Sequence, residues 1–384
     1  MSANINPLAN PKGANKVCEL CEKPAYIQCT KCFVTFYCGK EHQEDDWVAI
    51  HKKVCQLLIP VRTPVPYYTL EAEREQHCSQ ILERQKLLME VSQRVAEKKL
   101  FEKRHKESLP AALLSLRSAM DIYGTSGVQL VPAYLLLAEA NIGLGNLSPA
   151  EQYLSWADWT VVRTPDCSRT VRHKLHRCMG RLFIVKGNLE GALFHLANDI
   201  YYASEEYGQD SIVTCGGYYL MADVFFRQGK MDIVNSLYTE VANTWHTHLS
   251  RLLEKHIENT ITPEESFDEA QQAEADQMLR SMLDVPDGCP EQQPNQSAAL
   301  AHSLGMLWLL GGDPDKALEF GKRALLSSQL VPDCSLTEPI QRLLQLAEED
   351  LNAAKKGWPD LPHYPSAHTE NQHSAQCSGG KIAL

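Results

Sequence analysis

A chain of 384 residues has room for two or three domains, and 44% apolar with 22% charged residues is the balance of an ordinary folded protein rather than a fibre or a disordered tail. The formal net charge of −11 argues against a protein whose main task is gripping phosphate backbones. No run approaches the eighteen consecutive apolar residues of a membrane-spanning helix.

The first sixteen residues are polar and rich in Asn and Pro. They carry no apolar core of a secretory leader and are expected to be disordered. Of 13 cysteines, six fall between Cys18 and Cys55. The others (Cys78, Cys167, Cys178, Cys215, Cys289, Cys334, Cys377) are scattered without a pairing pattern, which predicts reduced thiols in a reducing compartment.

Residues 17–55 hold the densest signal. Cys18, Cys21, Cys29, Cys32, Cys38, His42, His51 and Cys55 have the spacing C-x2-C-x7-C-x2-C-x5-C-x3-H-x8-H-x3-C. Thiolates and imidazoles in fours make closed tetrahedral zinc sites, which are structural rather than catalytic. Eight donors predict two zinc ions. Cys18/Cys21 and Cys29/Cys32 are knuckles on tight turns. Cys38/His42 and His51/Cys55 have the i, i+4 spacing that places two side chains on one helix face. Spacing alone allows a sequential or an interleaved pairing. A module of about forty residues buries too little apolar surface to fold alone. Structural zinc supplies ~10–16 kcal/mol as folding free energy, so chelation should collapse this segment while the C-terminal helices stay intact.

Together with Tyr37, Gln43 and Trp47, this run resembles the MYND zinc-finger family. The resemblance implies an interleaved arrangement: one zinc on Cys18, Cys21, Cys38 and His42, the other on Cys29, Cys32, His51 and Cys55. The family usually has Cys where His42 stands, which makes that ligand the doubtful one. It also implies that the finger binds short proline-containing peptides, with Gln43 and Trp47 lining the groove. Tryptophan is a good platform for a proline ring, and equally a good core residue against the metal cluster. Five Lys/Arg against six Asp/Glu within 18–55 make no nucleic-acid surface.

Residues 56–68 contain Pro60, Pro64 and Pro66 and read as a stiff spacer. Residues 69–107 lack Gly and Pro from Leu70 to Glu107, and Ile81, Leu88 and Val95 recur at seven, predicting one long amphipathic helix docked on the next part of the chain. Residues 108–345 carry a repeat. Gly145, Gly187, Gly229 and Gly312 each have a small or apolar residue five positions on (Ala150, Ala192, Val234, Ala317). Each also has a small one seven positions back (Ala138, Gly180, Ala222, Gly305). Phe183, Phe225 and Trp308 stand three positions after that small residue, with Asn141 in the first unit. Ala112, Leu116 and Ala119 suggest an earlier half-unit. The physical unit is a helix, a tight Gly turn and a second helix, and stacked units make an α-solenoid. The region near 260–297 breaks the period and reads as an acidic helix (Glu264 to Leu283) with a loop after it, a decayed repeat or an insertion. Residues 357–384 are expected to be a disordered tail. Its His363, His368, His373 and Cys377 read as solvated rather than metal-binding.

The repeat resembles the tetratricopeptide family in a longer-helix form. That implies a groove lined by first helices which receives peptides or partner helices. In the second unit Lys174, Arg177 and Arg181 share one helix face, and their stripe is expected to take an acidic segment or helix of a partner. The fold class is therefore mainly α: a two-zinc finger at the N-terminus, then an α-solenoid of helical hairpins. Nucleotide-binding, zinc-protease and serine-hydrolase motifs are absent. A lysine methyltransferase of the SET type is disfavoured, because only sixteen residues precede the finger and no Asn-His dipeptide occurs. The combination resembles MYND proteins of motile cilia and sperm flagella. That implies a cytoplasmic or axonemal adaptor, with other tetratricopeptide proteins and dynein-arm components as partners, and neither nucleic acid nor membrane. A nuclear co-repressor adaptor is the alternative.

Overall fold

The computed structural model describes residues 2–4, 16–64, 67–258, 260, 268–284, 294–331 and 335–356. The N-terminal module opens with three short antiparallel strands in the order β1 (Ser2–Asn4), β2 (Ile27–Cys29), β3 (Phe36–Tyr37). Expected disorder over 1–16 thus gives way at Ser2–Asn4 to an edge strand paired with β2; residues 5–15 lie outside the described residues. Helix α1 (Lys40–Asp46) runs through a single widened π-turn (Trp47–His51) into α2 (Lys52–Arg62).

Two expectations for the next segment are corrected. The stiff spacer over 56–68 is helix as far as Arg62, with Pro60 inside α2. Pro60 loses one backbone hydrogen bond there, and burial of Val54, Cys55 and Leu58 on the same helix offsets that loss. The single helix over 69–107 is two. α3 (Glu71–Phe101) ends in a turn at Lys103, whose φ of 59° is left-handed, and α4 (His105–Tyr123) folds back against α3. Ala112, Leu116 and Ala119 therefore belong to the second helix of a complete hairpin.

Three further hairpins come next: α5/α6 (Val131–Gly143, Leu147–Val162), α7/α8 (Arg169–Val185, Leu189–Tyr207) and α9/α10 (Ile212–Arg227, Met231–Ile257). After α11 (Glu269–Leu283) come α12/α13 (Pro294–Leu310, Pro314–Ser328) and α14 (Thr337–Lys356). The chain is an α-solenoid. Gly145, Gly187, Gly229 and Gly312 turn four of these hairpins at φ between 73° and 77°, a conformation L side chains resist. The small residues seven positions earlier sit where paired helices touch. A Cβ on Gly180 would come within 2.8 Å of Leu196 of α8, and one on Gly305 within 3.4 Å of the α13 backbone at Ala317 and Gly321 and within 2.7 Å of Leu343 of α14. Phe183, Phe225 and Trp308 each lie under a lysine ammonium, at 6.0 Å for Lys186, 5.4 Å for Lys230 and 3.6 Å for Lys316. In the first unit, Asn141 donates its amide to the Leu137 carbonyl instead.

The acidic helix expected over Glu264 to Leu283 is present as Glu269–Leu283 and packs into the array; the loop expected after it falls on residues outside the described ones. Helix α11 starts on a capping box formed by Asp268 and Gln271. It buries Ala275, Met278, Leu279, Met282 and Leu283, and packs against α3 and α12. Lys98 of α3 reaches Glu269 at 2.7 Å, Trp308 of α12 donates to Asp276 at 2.9 Å, and Arg177 of α7 lies 4.0 Å from Glu274. The helix thus runs along the face lined by the first helices of the hairpins. Residues 261–267 and 285–293 lie outside the described residues, as does the tail 357–384 with His363, His368, His373 and Cys377. Among the described residues no helix is long and apolar enough to cross a membrane.

One histidine pair is expected to make the fold acid-sensitive. His302 of α12 is 2% exposed, its Nδ1 lies 3.1 Å from Nε2 of His246 on α10, and burial with the His246 ring beside it lowers its pKa from 6.5 to about 4. The unfolded chain therefore takes up a proton that the folded chain refuses. Stability from this group is full above pH 6.5 and is lost as pH falls toward 4, at about 3 kcal/mol. Urea titrations at pH 7.5 and 4.5 should show wild type losing more stability than His302→Gln by most of that amount. Equal losses would refute it.

Candidate metal centres

The eight predicted donors gather into two groups, Cys18, Cys21, Cys38 and His42 in one and Cys29, Cys32, His51 and Cys55 in the other, each with its donor atoms within 4.8 Å of one another. The pairing is interleaved, which the spacing alone had left open. The separations suit one small ion. Tetrahedral zinc at Zn–S ≈ 2.3 Å and Zn–N ≈ 2.05 Å requires S···S of about 3.8 Å and S···N of about 3.6 Å. Cys21 and Cys38 sulfurs are 3.6 Å apart, Nδ1 of His42 is 3.4 Å from Cys18 and 3.3 Å from Cys38, and Nε2 of His51 is 3.7 Å from Cys32. His42, the donor that departs from the usual cysteine, is in place through Nδ1. These two sites of three cysteines and one histidine fit two structural zinc ions.

The local fold explains the convergence. The two knuckles share one turn geometry. Glu22 and Phe33, each directly after the second cysteine, adopt φ of 59° and 60°, and their N–H groups donate to the carbonyls of Cys18 and Cys29 at 3.1 Å. Two non-glycine residues in the left-handed region are costly, and they persist where the surroundings over-determine them. The helical pairs are not alike, contrary to expectation. His51 and Cys55 do lie on one continuous helix, but Cys38 precedes α1 at the end of β3, with only His42 on the helix. The π-turn faces Ile50 and His51 inward while Val48 stays 61% exposed.

The thiols show why a cation belongs there. Burial and the neighbouring thiols push Cys38 up to about 11 and Cys55 up to about 12. Burial alone would raise Cys18 too, but backbone N–H groups and the His42 ring bring it down to about 6. Crowded sulfurs that resist joint ionisation are stabilised as thiolates by a divalent ion. Burial lowers His51 to about 4 and keeps it neutral, the form that ligates.

Sequence reasoning missed the support for His51. Its Nδ1 faces Asp46 at 3.7 Å, and Asp46 accepts the Tyr37 hydroxyl at 2.6 Å. Burial pushes the Asp46 carboxyl up to about 7, against the pull of that hydroxyl. Thr35 also lies 3.1 Å from the Cys32 sulfur. Such outer groups fix the ring and the thiolate. No motif marks Asp46, because its role depends on β3 and α1 meeting.

Also missed was the junction with the solenoid. Glu19, between two ligands of the first site, takes Arg62 of α2 at 2.5 Å, and Arg117 of α4 donates to its carboxylate at 3.1 Å and to its carbonyl at 2.5 Å. Asp45 pairs with Lys106 at 3.3 Å. Ile50, Val54 and Leu58 share one apolar core with Leu88 and Leu114 of the first hairpin. The finger is fused to the solenoid.

The remaining site residues divide. Trp47 is partly buried, 5.7 Å from the His51 ring, with the Lys31 ammonium 4.8 Å from its ring centroid. Gln43 is 7% exposed and packs inward. The basic stripe is corrected. Arg177 donates to Asp199 at 2.8 Å and to the Val213 carbonyl at 2.6 Å, and its side chain is 11% exposed. Arg181 lies 3.9 Å from Glu139, while Lys174 remains exposed. The acidic segment expected from a partner is this chain's own α11, whose Glu274 faces Arg177. Hydrophobic burial of α11 drives it into that groove, and the charges come with it.

A search of curated proteins finds human Egl nine homolog 1, 52% identical over 40 residues, which is 10% of this chain and 9% of that protein. The matched stretch is thus about a tenth of that relative's length. Among solved structures, the crystal structure of BtubC (BKLC) from P. vanneervenii aligns over 74% of this chain and 99% of that one, at 15% identity and a TM-score of 0.29. Residues 18–55 match the family described as MYND finger, and the N-terminal module of this chain is a MYND finger.

Proposed function

We propose that the chain is a non-enzymatic adaptor whose finger holds a proline-containing peptide beside Trp47, on a solenoid of tetratricopeptide type that docks other helical proteins. The observation that supports it most is the pair of closed four-donor sites: every donor position is filled by the chain, and none is left for a substrate. Fusion of the finger to α4 through Glu19 and Arg117, and to α3 and α4 through the shared apolar core, would hold a captured peptide at a fixed angle to the solenoid. The place of action we propose is the cytoplasm and the axoneme of motile cilia or flagella, with dynein-arm components among the partners; this part rests on the resemblance in sequence. Tagged full-length chain and its Trp47→Ala variant, both checked for two zinc ions, would be purified from ciliated cells. Dynein-arm proteins should accompany the first and be depleted with the second. Equal recovery of every partner, or S-adenosylmethionine binding by calorimetry, overturns the reading.

A further inference from the structure

Between the π-turn of the finger and the C-terminal end of α3 lies a cleft of about 230 Å³. Trp47 forms one wall, and Lys52, Lys53, Lys98, Lys99 and Arg104 surround it with Glu102 as the one carboxylate. Five cations against one anion is a local reversal in a chain of net charge −11. The Lys31 ammonium over the Trp47 ring adds to it.

Internal pairs consume only part of this charge. Lys99 and Arg104 are held by Glu107, and Arg104 also by Glu102. Lys52 is exposed and enters no ion pair among the described residues. Lys53 has a single carboxylate at the outer limit, Glu269 at 3.9 Å, with its side chain 58% exposed. Lys98 binds the same Glu269 at 2.7 Å. Glu269 comes from α11, 171 positions away along the chain, and is 65% exposed. A carboxylate arriving from outside the finger is therefore already seated on the rim. The rim accepts the group that a partner would present.

We propose that this cleft binds an acidic peptide, one or more Asp or Glu flanking the residue that packs on Trp47. The inference rests on the finger serving as a peptide-binding module, and adds the chemistry of its partner. Charges from α2 and α3 supply selectivity where the ring alone would accept any apolar residue. An acidic peptide fits better than nucleic acid. The cleft is too small for a continuous phosphate backbone, whereas one or two carboxylates can reach the exposed Lys52 and Lys53.

Fluorescence anisotropy on the zinc-loaded full chain would test this with two fluorescein-labelled proline peptides, one flanked by glutamates and its twin by glutamines. The acidic peptide should bind about tenfold tighter at low salt, and the preference should fade as salt rises. Lys52→Glu with Lys53→Glu should abolish the preference for the acidic peptide over its neutral twin. Glu269→Gln, which removes the nearer of two carboxylates from Lys98 and leaves Glu102 at 3.9 Å, should strengthen the acidic peptide; a cleft with only a structural role would not respond. Equal affinity for the twins, unchanged by these substitutions, overturns the proposal while the finger remains a peptide binder. No binding of either overturns both. A single-stranded RNA oligonucleotide binding more tightly than the acidic peptide also overturns it.

Discussion

Stripping zinc from the full chain with a strong chelator is expected to unfold residues 18–55 and to loosen α3 and α4 with them. Each structural ion contributes ~10–16 kcal/mol of apparent free energy, far more than a forty-residue module gains from burial. From the sequence, the loss would stop at the finger. The structure extends it, because Ile50, Val54 and Leu58 share a core with Leu88 and Leu114, and Glu19 holds Arg62 and Arg117. Hydrogen exchange with and without chelator is the measurement. Protection should vanish in α1 and α2 and fall in α3 and α4, while α7, α8 and α12 keep theirs. Cys21→Ser should reproduce the change and Cys78→Ser, at an exposed thiol, should not. Unaltered protection in α1 and α2 under chelator would remove zinc from the account.

Asp199→Ala should destabilise the chain by about 3–5 kcal/mol, the cost of leaving a buried cation without its partner. Asp199 is fully buried and receives Arg177 at 2.8 Å and His173 at 3.2 Å. Burial alone would lower the Arg177 pKa, but Asp199 and Glu274 outweigh it and raise it; when Asp199 is deleted, the intrinsic basicity of arginine keeps the guanidinium charged. The double variant Asp199→Ala with Arg177→Met should recover much of the loss, since an apolar pair replaces a broken ionic one. Guanidinium denaturation of wild type, Asp199→Ala, Arg177→Met and the double variant reads the coupling. A loss below about 1 kcal/mol in Asp199→Ala would mean that water reaches the site.

The metal donors were legible because ligand chemistry is carried by residue type and spacing, and eight positions had to agree. The hairpins were legible because a left-handed turn favours glycine and a close helix contact demands a small side chain, as at Gly187 and Gly180. Pairing of knuckles with helical ligands was not, since both topologies use the same residues. The destination of α11 was also hidden. Its Met278, Leu279 and Met282 announce an apolar face, but nothing local says that the face lies on α3 and α12 rather than on a neighbouring hairpin. Arg177 misled for a related reason. On a helix wheel it sits with Lys174 on one stripe, yet Asp199 and the Val213 carbonyl come from elements 22 and 36 positions away. Gly216 and Gly217 were a readable clue. A Cβ at the first would meet the Arg177 guanidinium at 2.5 Å, and one at the second would meet Asp199 at 2.9 Å. Two glycines inside α9 cost about 1 kcal/mol each as helix formers, and they leave room for that ion pair.

Helix α11 alters what kind of object the array is. Stacked hairpins that touch only their neighbours melt piecemeal from either end, each unit with its own stability. By bridging α3 to α12, α11 joins early and late parts of the array across more than 170 residues of sequence and shuts the row into a loop. Loosening α3 also removes one side of that bridge, so the early hairpins and α11 depend on each other, and the assembly must wait for a long-range closure before it is finished.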